Sequence, residues 1–337
     1  MNEKLKNIAT LFRIEGEIHS VDRLGDGFIN DTFFVRTRGN DQDDYLLQRK
    51  NKNVFTDIPA MMQNIQVVSD HLKKEILKRG GDPLRETLTI IPTKDGESCF
   101  LDDEGEYWAL CLFIKESRSY DKVTNLELAY EGGRGIGLFH AMLTDMVHPL
   151  ADILPGFHNI RFRFKQWDEA LANDASGRKA ELKEEIEWIE SRRDEMMAFW
   201  QKIESGLIPG RVSHNDTKIN NLLFDLNDKA LCMIDLDTVL NSTVLNDFGD
   251  AVRTYANSGL EDDPNLENVS LDIKIFEAYT KGYLEEASSF LTKAELENLA
   301  FSAKYIIFEQ VLRFLMDYIN GDTYYKIKYA SRLSSDN

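Results

Sequence analysis

The run Val212 to Phe224 constrains this chain more than any other stretch. Its loop, Asn215 to Asn221, is strongly polar and places Asp216 and several carboxamides round the single apolar Ile219. Two short apolar runs follow, Leu222–Phe224 and Ala230–Ile234, separated by the turn-rich Asp225-Leu226-Asn227-Asp228-Lys229. That pattern reads as a β-hairpin. A hairpin here returns Asp235 to the neighbourhood of Asn221, so the fold must gather Asp216, Asn221 and Asp235 round one point.

Each residue type suggests a task. Asn221 offers a neutral oxygen and Asp235 an anionic one, the hard ligands that Mg²⁺ accepts when phosphate oxygens complete its shell. Asp216 lies outside that pair and is free to take a proton from a substrate hydroxyl. His214 is expected to orient the loop backbone. Asp and Asn are also ordinary turn residues. The agreement of spacing, hairpin and second carboxylate favours phosphoryl transfer from ATP. The pattern His214-x-Asp216-x4-Asn221 with a hairpin to Asp235 resembles the catalytic and metal loops of the aminoglycoside phosphotransferase and choline kinase relatives of the protein kinases. The resemblance implies an α+β, bilobal protein-kinase-like fold, with an N-terminal antiparallel-sheet lobe, a mostly helical C-terminal lobe, and ATP and Mg²⁺ as cofactors. Protein kinases carry Arg in the slot of Asn215, so the implied acceptor is a metabolite. Asp247-Phe248-Gly249 spells the protein-kinase metal triplet but lies beyond the hairpin. Asp235 is therefore the expected metal ligand, and Asp247 and Asp250 are expected as loop or helix-start residues, Asp250 suiting a helix N-terminus. Asp237 is open between a supporting role and a turn.

The N-terminal part offers a phosphate cradle. Leu24 to Thr32 joins two strand-like runs, Ile18–Leu24 and Phe33–Thr37. Gly25 and Gly27 would let backbone N–H groups approach phosphate closely, with Asn30 and Thr32 completing the loop, although Gly-Asp-Gly also makes an ordinary hairpin turn. In the next strand, Tyr45–Lys50, the relatives carry a basic residue that holds the nucleotide phosphates. The simplest register puts Gln48 there, with Arg49 on the opposite face. Either Gln48 binds phosphate through its amide, or a bulge turns Arg49 or Lys50 inward. The helix expected over about 58–77 offers no assignable acidic partner, and Glu75 reads as a surface charge. Residues 1–114 are expected as the N-lobe and 115–121 as the hinge, with adenine beside Phe113 and Ile114. Residues 122–337 are expected as the C-lobe. Within it, Gly132, Gly133, Gly135 and Gly137 permit close helix packing, and His140 reads as a hydrogen-bonded core residue. One amphipathic helix is expected from Arg178 to Ile203, burying Leu182, Ile186, Ile189, Met196, Trp200 and Ile203.

The helix Tyr305–Ile319 stops at Asn320-Gly321. The run Arg313 to Tyr325, with Asp247–Arg253 and the Gln48-Arg49 strand, resembles the N-acetylhexosamine 1-kinases. That resemblance implies that Asp216 deprotonates the anomeric hydroxyl of N-acetylglucosamine or N-acetylgalactosamine while Arg313 and Tyr324 hold the amino sugar. The plainer alternatives are an i,i+4 pair of Arg313 with Glu309 or Asp317, and a core role for Tyr324. A homoserine, choline, hydroxylysine or aminoglycoside kinase would share the loop and differ in this pocket, and Gln48 makes a nucleotide-binding pseudokinase thinkable. The net charge of −18 argues against nucleic acid as a partner. It also means that anionic ATP must meet a local positive site. No apolar run approaches the roughly 20 residues of a membrane span, and the first residues lack a signal-peptide core. Cys99, Cys111 and Cys232 sit in apolar or strand-like runs, as reduced thiols do. These features suit a cytoplasmic enzyme, monomeric or homodimeric.

Overall fold

The computed structural model describes residues 2–25, 29–39, 42–259 and 265–324; Gly27 lies outside them. The N-terminal part contains α1 (Asn2–Ala9), β1 (Ile18–Arg23), β2 (Asp31–Thr37), β3 (Tyr45–Lys50), α2 (Ile58–Lys78), α3 (Pro83–Glu86), β4 (Ile90–Ile91), β5 (Phe100–Leu101) and β6 (Tyr107–Leu112). The strands form one antiparallel sheet in the order β1-β2-β3-β6-β4, with β5 also on β6. Alternation gives this sheet two different faces. Phe33, Val35, Tyr45, Leu47, Trp108 and Leu110 bury one of them under Leu5, Ile8, Ala9 and Phe12 at the N-terminus. Gln48 and Lys50 stand on the other, opposite Ala109 and Tyr107, which join the main core.

The remainder is mostly helical. It comprises β7 (Ser117–Arg118), α4 (Leu126–Met142), α5 (Ile160–Asn173), α6 (Lys183–Glu190), α7 (Arg193–Glu204), β8 (Arg211–Ser213), β9 (Leu222–Asp225), β10 (Ala230–Met233), β11 (Leu240–Ser242), α8 (Val244–Tyr255), α9 (Ile273–Ala287) and α10 (Lys293–Ile319). The fold is thus mixed α+β, an antiparallel sheet followed by a helical body. Segment 115–121 is more than a linker, because β7 within it pairs with β9 of the hairpin that follows residues 215–221. Among the described residues no helix is long and apolar enough to cross a membrane. The three cysteines are free thiols, and burial pushes Cys111 up to about 11.

One expectation needs correction. The single amphipathic helix over 178–203 is a 3-10 turn (Lys179–Glu181) followed by two helices, α6 and α7. At the break, the Ser191 hydroxyl and the Arg192 guanidinium both donate to the Trp188 carbonyl, at 2.8 and 3.0 Å. Side-chain donors that occupy a helical carbonyl favour termination there. The stripe nevertheless survives, because Leu182, Ile189 and Met196 reach the same core from both pieces.

Glycine does set the closest helix contact. A Cβ on Gly133 of α4 would lie 2.1 Å from the Tyr279 carbonyl oxygen, and one on Gly282 of α9 would lie 1.9 Å from that of Tyr130. Backbone cannot rotate aside, so α4 and α9 would have to separate. Gly133→Ala should therefore lower stability by at least the ~1–3 kcal/mol usual for overpacking, read as a lower urea midpoint. An unchanged midpoint would show that these helices do not meet so closely in solution.

Candidate active site

The catalytic loop begins at β8, which pairs with β11, and turns at Asn215, whose φ of 65° is left-handed. Asn tolerates that conformation better than most residues. The loop backbone is then held from below. The His214 and Asn215 N–H groups donate to the Asp247 carboxylate at 2.7 and 2.6 Å, and Thr217 N–H donates to Asp250 at 2.8 Å. His140 Nε2 donates to Asp247 as well, at 2.7 Å, so His140 is a hydrogen-bonded core residue with a purpose. His214 spans the hairpin: its Nε2 donates to the Ile234 carbonyl at 2.8 Å, and its Nδ1 accepts the Asp216 N–H at 3.3 Å. Asp247 and Asp250 are accordingly loop anchors. Asp247 stands in the first turn of α8, as expected of a helix-start residue, whereas Asp250 does not head the helix, because Thr243 caps it and Asp250 lies well inside. Burial alone would raise the Asp250 carboxyl, but Arg253 and the nearby His158 hold it below the usual carboxylate range.

The hairpin gathers the candidate metal ligands. Ile234 N–H donates to the Asn221 carbonyl at 2.9 Å, which sets Asp235 beside Asn221. The Asn221 Nδ2 donates to Asp216 through both its carbonyl and Oδ2, each at 2.9 Å, and so turns Oδ1 away from Asp216. Asp235 adopts φ 60°, and among the described residues nothing donates to its carboxylate. Burial, then the neighbouring Asp237 and Asp216, push it up to about 6 against the pull of Lys50. A buried carboxylate with no donor of its own and other carboxylates near it suits a hard divalent cation. Lys218, given no role in the sequence reading, places its Nζ 3.3 Å from Asp216 Oδ2.

The opposite wall comes from the sheet. Strands β2, β3 and β6 pair in unbroken register, so Gln48 and Lys50 share a face without any bulge, and Arg49 turns outward to Asp31. Lys50 Nζ lies 2.8 and 2.9 Å from the two Asp237 oxygens and 2.7 Å from Gln48 Oε1. The pair is buried, with side chains 3% and 6% exposed. Asn30 donates to the same Asp237 at 2.8 Å and accepts Asn51 N–H at 3.1 Å, and Gln48 donates to Thr32 Oγ1 at 3.3 Å. Asn30, Thr32 and Gln48, expected at the nucleotide, are thus linked to one another through Lys50 and Asp237. Strand alternation alone could have signalled Lys50; its acidic partner is on the metal loop rather than on α2, whose buried polar residues are Asn64 and Ser69. Gly25 has a left-handed φ of 66°, which accounts for glycine there. Phe113 meets Phe34 edge-on with centroids 4.9 Å apart, and Ile114 is buried next to it.

At the acceptor side, Arg313 on α10 is half-buried, donates to Gln310 at 3.3 Å and lies 5.9 Å from the Tyr324 ring centroid. Tyr324 is 64% exposed, which rules out a core role. Its N–H donates to Asp317 at 2.8 Å, while Glu309 is engaged by His158 and Arg163.

Comparison with known proteins agrees with this geometry. The sequence pattern of the phosphotransferase enzyme family (APH) matches residues 20–282. The structure is similar to a microcompartment-associated aminopropanol kinase at 17% identity, covering 94% of each chain with a TM-score of 0.61. It is similar to the amicoumacin kinase hAmiN, solved with AMP-PNP and Ca²⁺, at 15% identity, covering 98% of this chain and 89% of that one with a TM-score of 0.59. Spectinomycin phosphotransferase APH(9)-Ia, solved with ADP and spectinomycin, matches at 14% identity over 97% and 95% of the chains, TM-score 0.55. At such identities the likeness shows the fold, which is the kinase-like fold expected from the loop motif.

The buried pair makes a direct test possible. Lys50→Met should strand the Asp237 carboxylate and cost about 3–5 kcal/mol in urea unfolding, whereas Lys50→Met with Asp237→Leu should recover most of the loss. A single variant as stable as wild type would mean that the two side chains do not pair in solution.

Proposed function

The chain belongs to the phosphotransferase enzyme family, and on that premise we propose that it transfers the γ-phosphoryl group of ATP to a hydroxyl of a small molecule. The observation that carries this reading is the convergence of Asp216, Asn221 and Asp235 on one hairpin whose loop is pinned by Asp247. Asn221 Oδ1 and the Asp235 carboxylate would hold Mg²⁺, which when bound supplies neutralisation of phosphate charge. Asp216 Oδ2 is occupied by Asn221, so Oδ1 is the oxygen left to receive the acceptor proton. As the acceptor oxygen forms its bond to phosphorus, the bond to the ADP oxygen breaks and the proton passes to Asp216. Lys50 and Lys218 are the cations that the loop and sheet bring to this region.

For the acceptor we propose an N-acetylhexosamine, N-acetylglucosamine or N-acetylgalactosamine, phosphorylated at its C1 hydroxyl. An anomeric hydroxyl is more acidic than an ordinary alcohol, so a carboxylate base suffices. The Arg313–Tyr324 pair supports the reading, since a planar guanidinium can bridge vicinal sugar oxygens beside an aromatic ring. A second reading, an amino alcohol or aminoglycoside, is favoured by the likeness to the aminopropanol kinase and by Asp317 beside Tyr324. Coupled ADP release across amino sugars, amino alcohols and aminoglycosides decides between them.

Two variants test the assignments. Asp216→Asn should lower kcat by roughly 10²-fold or more with nucleotide Kd unchanged, as loss of a general base does; wild-type turnover would remove Asp216 from the chemistry. Arg313→Ala should reduce sugar kcat/KM by about ten- to a hundred-fold, with little recovery in Arg313→Lys, because one ammonium cannot reproduce the guanidinium fork. Normal sugar turnover in a folded Arg313→Ala protein would remove Arg313 from the acceptor site.

A further inference from the structure

The peptide unit joining Asn215 to Asp216 is gripped at both ends by imidazoles. Its N–H is accepted by His214 Nδ1 at 3.3 Å, and its carbonyl accepts from His158 Nε2 at 3.1 Å. His158 is far away in sequence, in the turn before α5, and has a left-handed φ of 53°. No sequence motif announces it.

The two rings cannot be in the same protonation state. His214 faces a carbonyl with Nε2 and an N–H with Nδ1, which fits one proton. His158 faces the Asn215 carbonyl with Nε2 and the Glu309 carboxylate with Nδ1, at 2.7 Å. A carbonyl and a carboxylate only accept, so both His158 nitrogens must carry hydrogen. A protonated Glu309 would relax that requirement, but its other oxygen accepts from Arg163 Nε at 3.0 Å. Despite the cost of burial, His158 and Arg163 hold the Glu309 carboxyl down to about 2. The His158 backbone is fixed as well, because the Tyr305 hydroxyl donates to its carbonyl at 2.8 Å and accepts Ile160 N–H at 3.2 Å.

We propose that His158 is a positioning residue for phosphoryl transfer, a buried imidazolium that fixes the Asn215–Asp216 peptide and thereby aims the Asp216 carboxylate. The inference rests on Asp216 being the base. The charged and titratable groups round the ring are Glu309 and Tyr305 of α10, Arg163 of α5 and Asp250 of α8, with Arg313 one turn beyond Glu309. Burial by itself would lower the His158 pKa, but Glu309, the Asn215 carbonyl and Asp250 outweigh it and raise the value. With the folded value raised, the favourable contribution is complete below the unfolded pKa of about 6.5 and is lost as pH rises through the folded value. Above that point a bare ring nitrogen would face either Glu309 or the Asn215 carbonyl, and the loop would be released.

Selective ¹⁵N-histidine NMR on the wild-type protein tests the charge without any turnover. Both His158 nitrogens should be protonated at pH 7.5, and a neutral ring there overturns the proposal whatever the acceptor proves to be. The second arm is kinetic. The kcat profile should fall on an alkaline limb that matches the His158 titration, and Glu309→Gln should move that limb to lower pH by about one unit or more. His158→Asn, which suits the left-handed φ, should lower kcat at least roughly ten-fold with ATP Kd near wild type. An alkaline limb unmoved in Glu309→Gln, or unchanged kcat in His158→Asn, would make His158 structural only. If Glu309→Gln fails to fold, the NMR titration compared with the wild-type kcat profile still decides.

Discussion

The buried Asp247 carboxylate is the interaction on which the site depends. A charge taken out of water is costly unless it is fully hydrogen-bonded. Here two backbone N–H groups of the catalytic loop and one imidazole donate to it. Those donors, with the Asn215 amide donating to the Ser213 and Thr238 carbonyls, hold the sharp bend at Asn215, since a left-handed side-chain residue persists where its surroundings over-determine it. Asp250, one helical turn further on the same face of α8, completes the hold through Thr217 N–H. Helix α8 is in turn pressed onto α10 at Gly249, where a Cβ would come 2.4 Å from the Ser302 carbonyl oxygen. Rigidity therefore passes from α10 through α8 to the loop that carries Asp216.

The cleft has a complementary constraint from the sheet. A buried ion pair is weak grounds for stability but strong grounds for fixed geometry when every polar atom is satisfied. Lys50 and Asp237 meet this condition through Gln48 and Asn30, and so the metal loop and strand β3 are set relative to one another. The chain as a whole carries a net charge of −18, which repels polyphosphate. Lys50 and Lys218 place positive charge where the field would otherwise be unfavourable.

What could be read in the sequence was local. The hairpin, the position of Asp235 beside Asn221 and the backbone-orienting task of His214 all follow from residues close in the chain, where spacing alone fixes geometry. The structure also assigns Asp247 a task other than metal ligation, although that task was not visible, because its partners lie more than thirty residues away. Lys50 and Asp237 are 187 residues apart, so nothing local in the sequence pairs them. The bulge held open as one alternative for β3 is unnecessary, since alternation already sets Lys50 on the face of Gln48. The break between α6 and α7 escaped notice for the opposite reason. Hydrophobic spacing of three, four or seven continues across a kink whenever both pieces cover the same core, so periodicity by itself is blind to termination.

Helix α10 shows how these pieces are connected. Ser302, Tyr305, Glu309, Arg313 and Asp317 follow one another at spacings of three or four, and so form one stripe along the helix. Its first part lies under Gly249 of α8, its middle fixes His158 through Tyr305 and Glu309, and its last turns reach Tyr324. The residues proposed to contact the acceptor thus stand on the same helix as those proposed to aim the base. Rotation of α10 to suit a different acceptor would withdraw Glu309 from His158 and loosen the Asn215–Asp216 peptide. Changes in acceptor preference are therefore accessible mainly through the side chains of its final turns, beyond Glu309, where a substitution leaves the support of the catalytic loop intact.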